Sequence, residues 1–324
     1  MSHLYRPLVS IIIPCYNAER WVAAAIESAL CQSYPRTEVI VVDDGSTDAS
    51  LDVIKQFDSK LTWLSTPNRG PSAAMNAGFK AARGDWVQFL GSDDLLHPQK
   101  IHLSLESCAD NPSIEFAWAP NTSVGEEFSL DDVRELQYVD LQITLSRNAL
   151  LAPYAPSAAM FRSKFLERVG YWNESLRRWV DLEYHARIAA QLPLYARLSK
   201  PLYFYRQHSG ERISNSNRNH SQIDRAMESL TLSRAILEAS KISPPVWKSC
   251  LWPFYLQLAR SSALAGDKKM FTGLMQTAAD LRGSLKFQLK CYVAMVSTQL
   301  FGLKLTTALI ERAPRSRNSR RCRR

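Results

Sequence analysis

At 324 residues, with 46% hydrophobic and 22% charged side chains, the chain has the make-up of a folded globular protein, long enough for one large domain and an appendage. The formal charge of +9 is lopsided: the last thirteen residues, from Arg312, hold seven arginines and no acid, so the rest carries 9 − 7 = +2 and is no basic, nucleic-acid-coating body. The six cysteines lack Cys-x-x-Cys pairing and metal-ligand spacing, which points to inert thiols in a reducing compartment.

Residues 1–7 are polar and a strand follows at once, so no signal peptide is expected. Nor is there an apolar run of about eighteen residues to predict a membrane span. The expected location is cytoplasmic, with a peripheral place at the inner face of the plasma membrane left open.

Val9-Ser-Ile-Ile-Ile-Pro14 is a β-branched run ended by proline, the pattern of a buried parallel strand. Residues 19–30 set Trp21, Val22, Ala25, Ile26, Ala29 and Leu30 at helical spacing. Glu38-Val-Ile-Val-Val-Asp43 predicts a second strand, ending in Asp43-Asp44-Gly45-Ser46-Thr47-Asp48 before another helix. Residues 62–65 predict a third strand, 72–82 a helix and 85–90 a fourth strand. Strand and helix alternate over short links, so right-handed βαβ crossovers in a parallel sheet are expected.

The fourth strand opens Trp86-Val-Gln-Phe-Leu-Gly-Ser-Asp-Asp-Leu-Leu96, where two adjacent carboxylates follow an apolar run. Carboxylates at the C-terminal end of a buried strand face the crevice where open α/β sheets bind ligands. Adjacent acids repel unless a cation lies between them, so Asp93 and Asp94 are read as a divalent-metal site for a diphosphate. Helix-cap duty is the plain alternative. Three strand ends carry such groups, Tyr16-Asn17, Asp43-Asp44 and Asp93-Asp94, and their coincidence favours a site.

Further on, residues 98–110 predict a helix, 114–119 a strand, and 121–147 a polar, acidic loop able to cover a site. Residues 158–162, 194–198 and 202–206 predict short strands, and 163–169 and 181–191 helices. Residues 209–219, rich in Ser, Asn and Arg, suggest a hinge, and 221–303 read as all-helical with breaks at Gly266-Asp267 and Gly283-Ser284.

With these residues in view, the chain resembles the family-2 glycosyltransferases, inverting nucleotide-sugar transferases. The resemblance rests on Val9-Ser-Ile-Ile-Ile-Pro-Cys-Tyr-Asn17, Val39-Ile-Val-Val-Asp-Asp-Gly-Ser-Thr-Asp48, Gly70-Pro-Ser-Ala-Ala-Met-Asn-Ala-Gly78, Phe89-Leu-Gly-Ser-Asp-Asp94 and Trp179-Val-Asp-Leu-Glu-Tyr-His-Ala-Arg187. It implies a GT-A-type, Rossmann-like α/β fold: a mostly parallel sheet sandwiched by helices, over residues 1–215. A C-terminal all-helical appendage (216–310) and a disordered Arg-rich tail (311–324) lie outside it.

The family implies that Pro14, Tyr16 and Asn17 line the base and ribose pocket, that Glu19 orders the adjoining loop, and that Asp44, with Asp43, hydrogen-bonds the base. A core aromatic is the alternative for Tyr16. Asn76 and Arg69 are expected on the donor side. The family's acid-x-acid metal motif stands here as Gly91-Ser92-Asp93, so Mn2+ or Mg2+ would lean on Asp93 or Asp94, on the diphosphate and on water, with His208 a further metal or phosphate contact and a structural or surface histidine as its alternative. Met75 replaces the arginine common before Asn76, leaving Arg69, Arg83 or Arg206 to supply a cation. The family's Glu-Asp pair at a helix start is Val180-Asp181, making Asp181 the expected general base, with a cap as its alternative role and Glu183 in reserve.

The expected function is metal-dependent, inverting transfer of a sugar from a nucleotide-diphosphate donor, a UDP-sugar first, to a hydroxyl of a glycan or lipid-linked acceptor in cell-surface polysaccharide synthesis. An apolar helical stretch beside the arginines suits an anionic membrane surface or a merely solubilising end; aromatic interleaving for nucleic acid is lacking. The rival reading is a nucleotide-binding scaffold without turnover, motivated by Gly91, Met75 and Val180.

Overall fold

A computed structural model describes residues 6–136, 142–147, 156–208 and 220–301. The chain divides into two compact units, Met1–Gly210 and Glu211–Arg324. The proposed hinge at 209–219 and the Arg-rich tail lie outside the described residues.

The first unit is built on an eight-stranded sheet. Its first half comes from β1 (Val9–Cys15), β2 (Thr37–Asp43), β3 (Thr62–Ser65) and β4 (Trp86–Phe89), all parallel, joined by α1 (Val22–Leu30), α2 (Ser50–Lys55) and α3 (Pro71–Ala81). The second half takes β6 (Ile114–Trp118), β8 (Ile143–Ser146), β9 (Ala159–Arg162) and β10 (Leu194–Leu198). The order is β3-β2-β1-β4-β9-β6-β10-β8. Strand β9 is antiparallel to both β4 and β6, and β8 is antiparallel to β10, so the sheet is mostly rather than wholly parallel.

Central strands bury both faces. Ile11, Ile12 and Ile13 have no exposed surface, as crossover helices require. Helix α3 lies so close to β1 that a Cβ at Gly78 would fall 2.3 Å from Cγ2 of Ile12; only glycine fits there. Because β1, β2, β3 and β4 run the same way, Tyr16, Asp43-Asp44 and Asp93-Asp94 all emerge on one edge.

A second sheet, β5-β11-β7, joins β5 (Leu95–Leu96), β7 (Asn121–Val124) and β11 (Tyr203–Arg206). It changes the reading of residues 121–147. That segment is not one open loop: it holds β7, α5 (Leu130–Glu135) and β8. Strand β7 is a half-exposed edge strand of polar Asn-Thr-Ser, and β8 exposes Ile143 and Leu145, so neither carries a buried-strand pattern. Helix α5 was legible, since Ser129 and Asp132 form a reciprocal capping box. Residues 137–141 and 148–155 are not described.

Helices α4 (Lys100–Glu106), α6 (Ser163–Val169) and α7 (Val180–Ala190) complete the unit. The second unit is helical: α8 (His220–Ala239), α9 (Pro244–Leu264), α10 (Lys268–Arg282) and α11 (Leu285–Phe301). Asp267 caps α10 by accepting from the Met270 N–H at 2.8 Å, and Gly283 ends it at φ 68°. Among the described residues no helix is long and apolar enough to cross a membrane.

Candidate functional site

The corner after β1 and β2 is sewn together by the polar groups that the sequence singled out. Asn17 sits at φ 47°, a conformation asparagine tolerates, and its Oδ1 accepts from the Thr47 N–H at 2.8 Å. Glu19 accepts from the Ala49 N–H at 2.8 Å, and its own N–H donates to Asp48 at 3.1 Å. Asn17 and Glu19 therefore brace one loop on the other. Pro14 is the penultimate residue of β1, opposite Val42. Tyr16 projects its ring, 49% exposed, beside this brace, so it is not a core aromatic.

Asp43 and Asp44 are both buried. Asp43 accepts from the Ser46 N–H and from the Ser65 hydroxyl. Asp44 receives the N–H groups of Arg69 and Gly70, at 2.9 and 2.8 Å, one on each oxygen. Burial pushes the Asp44 carboxyl up; the two N–H groups pull it partly back, and the Asp43 charge adds to the rise. A carboxylate has about four acceptor positions, and the two backbone N–H groups fill two of those on Asp44. Burial also pushes the neighbouring Cys15 thiol up to about 12, which leaves it inert.

The two aspartates after β4 have separated roles. Asp94 is buried: the Tyr203 hydroxyl donates to its Oδ2 and the Arg206 N–H to its Oδ1 at 2.9 Å. Asp93 is partly open, with its Oδ2 3.2 Å from Nε2 of His208. His208 in turn stacks on Trp21, ring centroids 5.3 Å apart. Arg206 holds this corner from below, donating to the carbonyls of Asp93, Glu126 and Phe128. A side chain at Gly91 would meet Asp94 Oδ2 at 2.7 Å and Asp93 Oδ1 at 3.1 Å. The place of the missing first acid is thus taken up by the two that remain.

Among the described residues no three His, Cys, Asp or Glu side chains stand close enough to enclose a metal ion. The donor set here is one open carboxylate and one imidazole, Asp93 and His208, backed by Asp94. That pair fits manganese or magnesium only as a partial shell completed by substrate oxygens and water.

The third corner begins at Asn76, buried in α3. It accepts from the Trp172 N–H at 2.8 Å and donates to the Trp172 carbonyl and to Glu174, both at 2.9 Å. Glu174 also receives Arg69 at 2.5 Å. The segment leading to α7 is thereby pinned to the loop that wraps Asp44. Asn76 and the side chain of Arg69 hold this segment, and Glu174, which carried no sequence signal, is the hinge between them.

Asp181 lies in the first turn of α7, after Trp179 at φ 49° in the left-handed region. Part of its surface stays open, yet the surrounding protein strips water from the carboxyl and burial alone raises it from 3.8 to about 6. Among the described residues no neighbouring cation offsets that rise. Glu183 differs: Arg187 grips both its oxygens at 2.8 and 3.0 Å, so it is spent in a salt bridge.

The three arginines offered for the missing cation also separate. Arg83 pairs with Glu38 at the start of β2, on the opposite edge of the sheet from the strand ends, and is ruled out. Arg206 is committed to three carbonyls. Arg69 remains at the rim, 66% exposed.

Comparisons agree with this architecture. The family model for Glycosyl transferase family 2 matches residues 10–170. An uncharacterized glycosyltransferase of Rickettsia typhi is 42% identical over 186 residues, 56% of this chain and 58% of that protein. The chondroitin synthase of Pasteurella multocida is 35% identical over 133 residues, covering 40% of this chain and 14% of the synthase. An uncharacterized glycosyltransferase of Haemophilus influenzae is covered over 44% of its length, so the match spans under two thirds of each of these relatives. The fold resembles that of S. aureus TarS 1-349, with TM-score 0.61 and 17% identity over 94% of this chain and 90% of that one. It also resembles the mannosyltransferase PcManGT of Pyrobaculum calidifontis, with TM-score 0.54 and 19% identity over 94% and 84%.

Proposed function

The chain belongs to glycosyl transferase family 2 through its first unit, and from that premise we propose that it transfers a sugar, with inversion, from a nucleotide-diphosphate donor to a hydroxyl of a glycan or lipid-linked acceptor. The observation that carries the reading is Asp181: a carboxyl lifted to about 6 by burial, with no counter-charge, beside a Glu183 that is locked by Arg187. A base near neutrality is what proton removal from an alcohol needs.

Tyr16 stacks on the base, and Asp44 accepts from its ring or ribose donors. Asp43, Asn17 and Glu19 keep those two in place. Asp181 takes the proton from the acceptor hydroxyl while that oxygen displaces the nucleotide in line. Asp93 and His208, with Asp94 behind them, would hold a divalent ion, whose positive charge compensates the departing diphosphate.

A UDP-sugar is the first donor to test, since structures of the TarS fold carry UDP or UDP-GlcNAc; PcManGT is complexed with GDP-Man and Mn2+. Cell-surface polysaccharide is the proposed product class, a role the named chondroitin and hyaluronan synthases support by analogy. An anionic membrane surface is the proposed partner of the second unit: α11 exposes Leu289, Tyr292 and Val293 on one face, and the seven arginines follow in sequence.

The test is purified full chain with manganese and a panel of UDP-, GDP- and other nucleotide sugars. Transfer or donor hydrolysis is expected in wild type and absent in Asp181→Asn, with nucleotide binding kept in both. Nucleotide binding without turnover of any donor by the wild type would replace the enzyme by a scaffold.

A further inference from the structure

The Asp44 cradle has a second wall that no sequence motif announced. Arg177 reaches it from the segment before α7, and its Nη1 donates to the Arg69 carbonyl at 2.5 Å. The same nitrogen lies against Gly70, whose φ is 92° and where a Cβ would come within 2.9 Å of it. Gly70 is therefore bare for two reasons, its left-handed backbone and the guanidinium resting on it. The Arg177 charge also acts on Asp44, pulling its carboxyl back down.

The hydrogen-bonding inventory decides what such a wall can do. A guanidinium carries about five N–H donors in a rigid plane. Arg177 spends one on Arg69 and is otherwise exposed. Asp44 spends two acceptor positions on backbone and keeps the rest. A free donor plane thus stands beside a free carboxylate edge, held there by Gly70 and by the bracing of Glu174 on Arg69 and Asn76. Adjacent donor and acceptor of this kind match the edge of a nucleobase, which presents a ring N–H next to a carbonyl oxygen. Arg69 is the poorer candidate for the part, because its guanidinium is already paired with the carboxylate of Glu174.

Resting on the nucleotide-sugar reading, we propose that Arg177 is a donor-binding residue that contacts the base, opposite Asp44, and so sets affinity for the nucleoside end of the substrate. It fills the role left open by Met75 from a different part of the chain.

The experiment is titration calorimetry of the full chain with uridine, UMP and UDP, for wild type, Arg177→Gln, Arg177→Lys and, as control, Arg83→Gln. Expected is a loss of roughly tenfold in Arg177→Gln, equal for all three ligands, as for a charged hydrogen bond made to the base. Arg177→Lys, which can still hold the Arg69 carbonyl, should lose most of the same affinity because the planar fork is gone; Arg83→Gln should match wild type. Thermal unfolding of Arg177→Gln should be unchanged, given the exposure of the side chain. A loss confined to UMP and UDP would place Arg177 on phosphate and overturn the proposal. Full affinity in Arg177→Lys would reduce it to a loop brace, and unchanged affinity in Arg177→Gln would end it. Wild type binding no nucleotide at all would sink the donor reading itself and this proposal with it.

Discussion

Replacing Asp181 by asparagine should make the protein more stable and inactive at once. A carboxyl raised from 3.8 to about 6 holds its proton more tightly in the folded state than in the unfolded one. The folded state is therefore favoured at low pH, and stability is lost as pH rises from about 4 through 6. At roughly 1.4 kcal/mol per unit of pKa, the full penalty above pH 6 is at most about 3 kcal/mol. An asparagine at that position cannot ionise and escapes the penalty. Against this stands the helix N-terminus, where losing an acid costs about 0.3–1 kcal/mol. The net expectation is a gain of about 2 kcal/mol in urea unfolding at pH 8 that vanishes at pH 3.5, where the folded carboxyl is protonated. Turnover should fall by roughly two to four orders of magnitude. In the wild type, kcat/KM should fall as pH drops below about 6, since only the ionised base accepts a proton. A variant that is less stable at both pH values and keeps its activity would make Asp181 a helix cap and nothing more.

Other substitutions probe the remaining corners. Lys100 is wholly buried, its ammonium bonded to the Ala158 carbonyl at 2.8 Å and lowered by burial to about 7. Because the unfolded chain binds that proton more tightly, wild-type stability should rise with pH from about 7 to 10, and Lys100→Met should flatten that slope in melts across the range. Asn76→Ala leaves the Trp172 N–H without its partner and Glu174 with Arg69 alone, so chemical denaturation should report a loss of about 2–4 kcal/mol; a cost under 0.5 kcal/mol would refute the bracing role. Asp93→Asn and His208→Ala should each weaken manganese-dependent UDP binding about tenfold or more while leaving uridine binding untouched, readable by calorimetry with and without metal. Deleting residues 312–324 should abolish co-sedimentation with anionic vesicles, given about 1 kcal/mol per basic residue near such a surface.

The half of the sheet that carries the strand-end acids was legible because burial on both faces leaves an unmistakable mark: Ile11-Ile12-Ile13 and Val39-Ile40-Val41-Val42 have almost no other place to go. The second sheet was not, since β5 is two residues long and β7 is polar on an edge. Among site residues, Tyr16, Asn17, Asp43, Asp44, Asp93 and Asp94 lie within a few positions of strand ends, and Asn76 and Asp181 sit in helices; all were named because their motifs are contiguous. Glu174 and Arg177 are silent in sequence because their partners stand about a hundred residues away, at Asn76 and Arg69. Asp93 and Asp94 read as equals along the chain. The hydroxyl of Tyr203 and the N–H of Arg206, both brought across by β11, distinguish the buried member of the pair from the open one.

The choice between enzyme and scaffold turns on what the three departures leave behind. At Gly91 there is no room for the absent acid, because Asp94 occupies its space and is itself pinned by Tyr203 and Arg206. Met75 and Val180 are buried, so their positions contribute packing rather than charge. Each departure thus removes a polar group from a place where this chain has built something else, which is compatible with either reading. Asp181 is not. A scaffold gains nothing from an uncompensated carboxyl that weakens the fold at neutral pH, and asparagine or serine in that first turn would cap α7 as well. A carboxyl raised toward neutrality by burial supports the proposal that Asp181 is the base. The opposed pH dependences of stability and turnover, measured on the same residue, therefore decide between the two readings more sharply than activity alone.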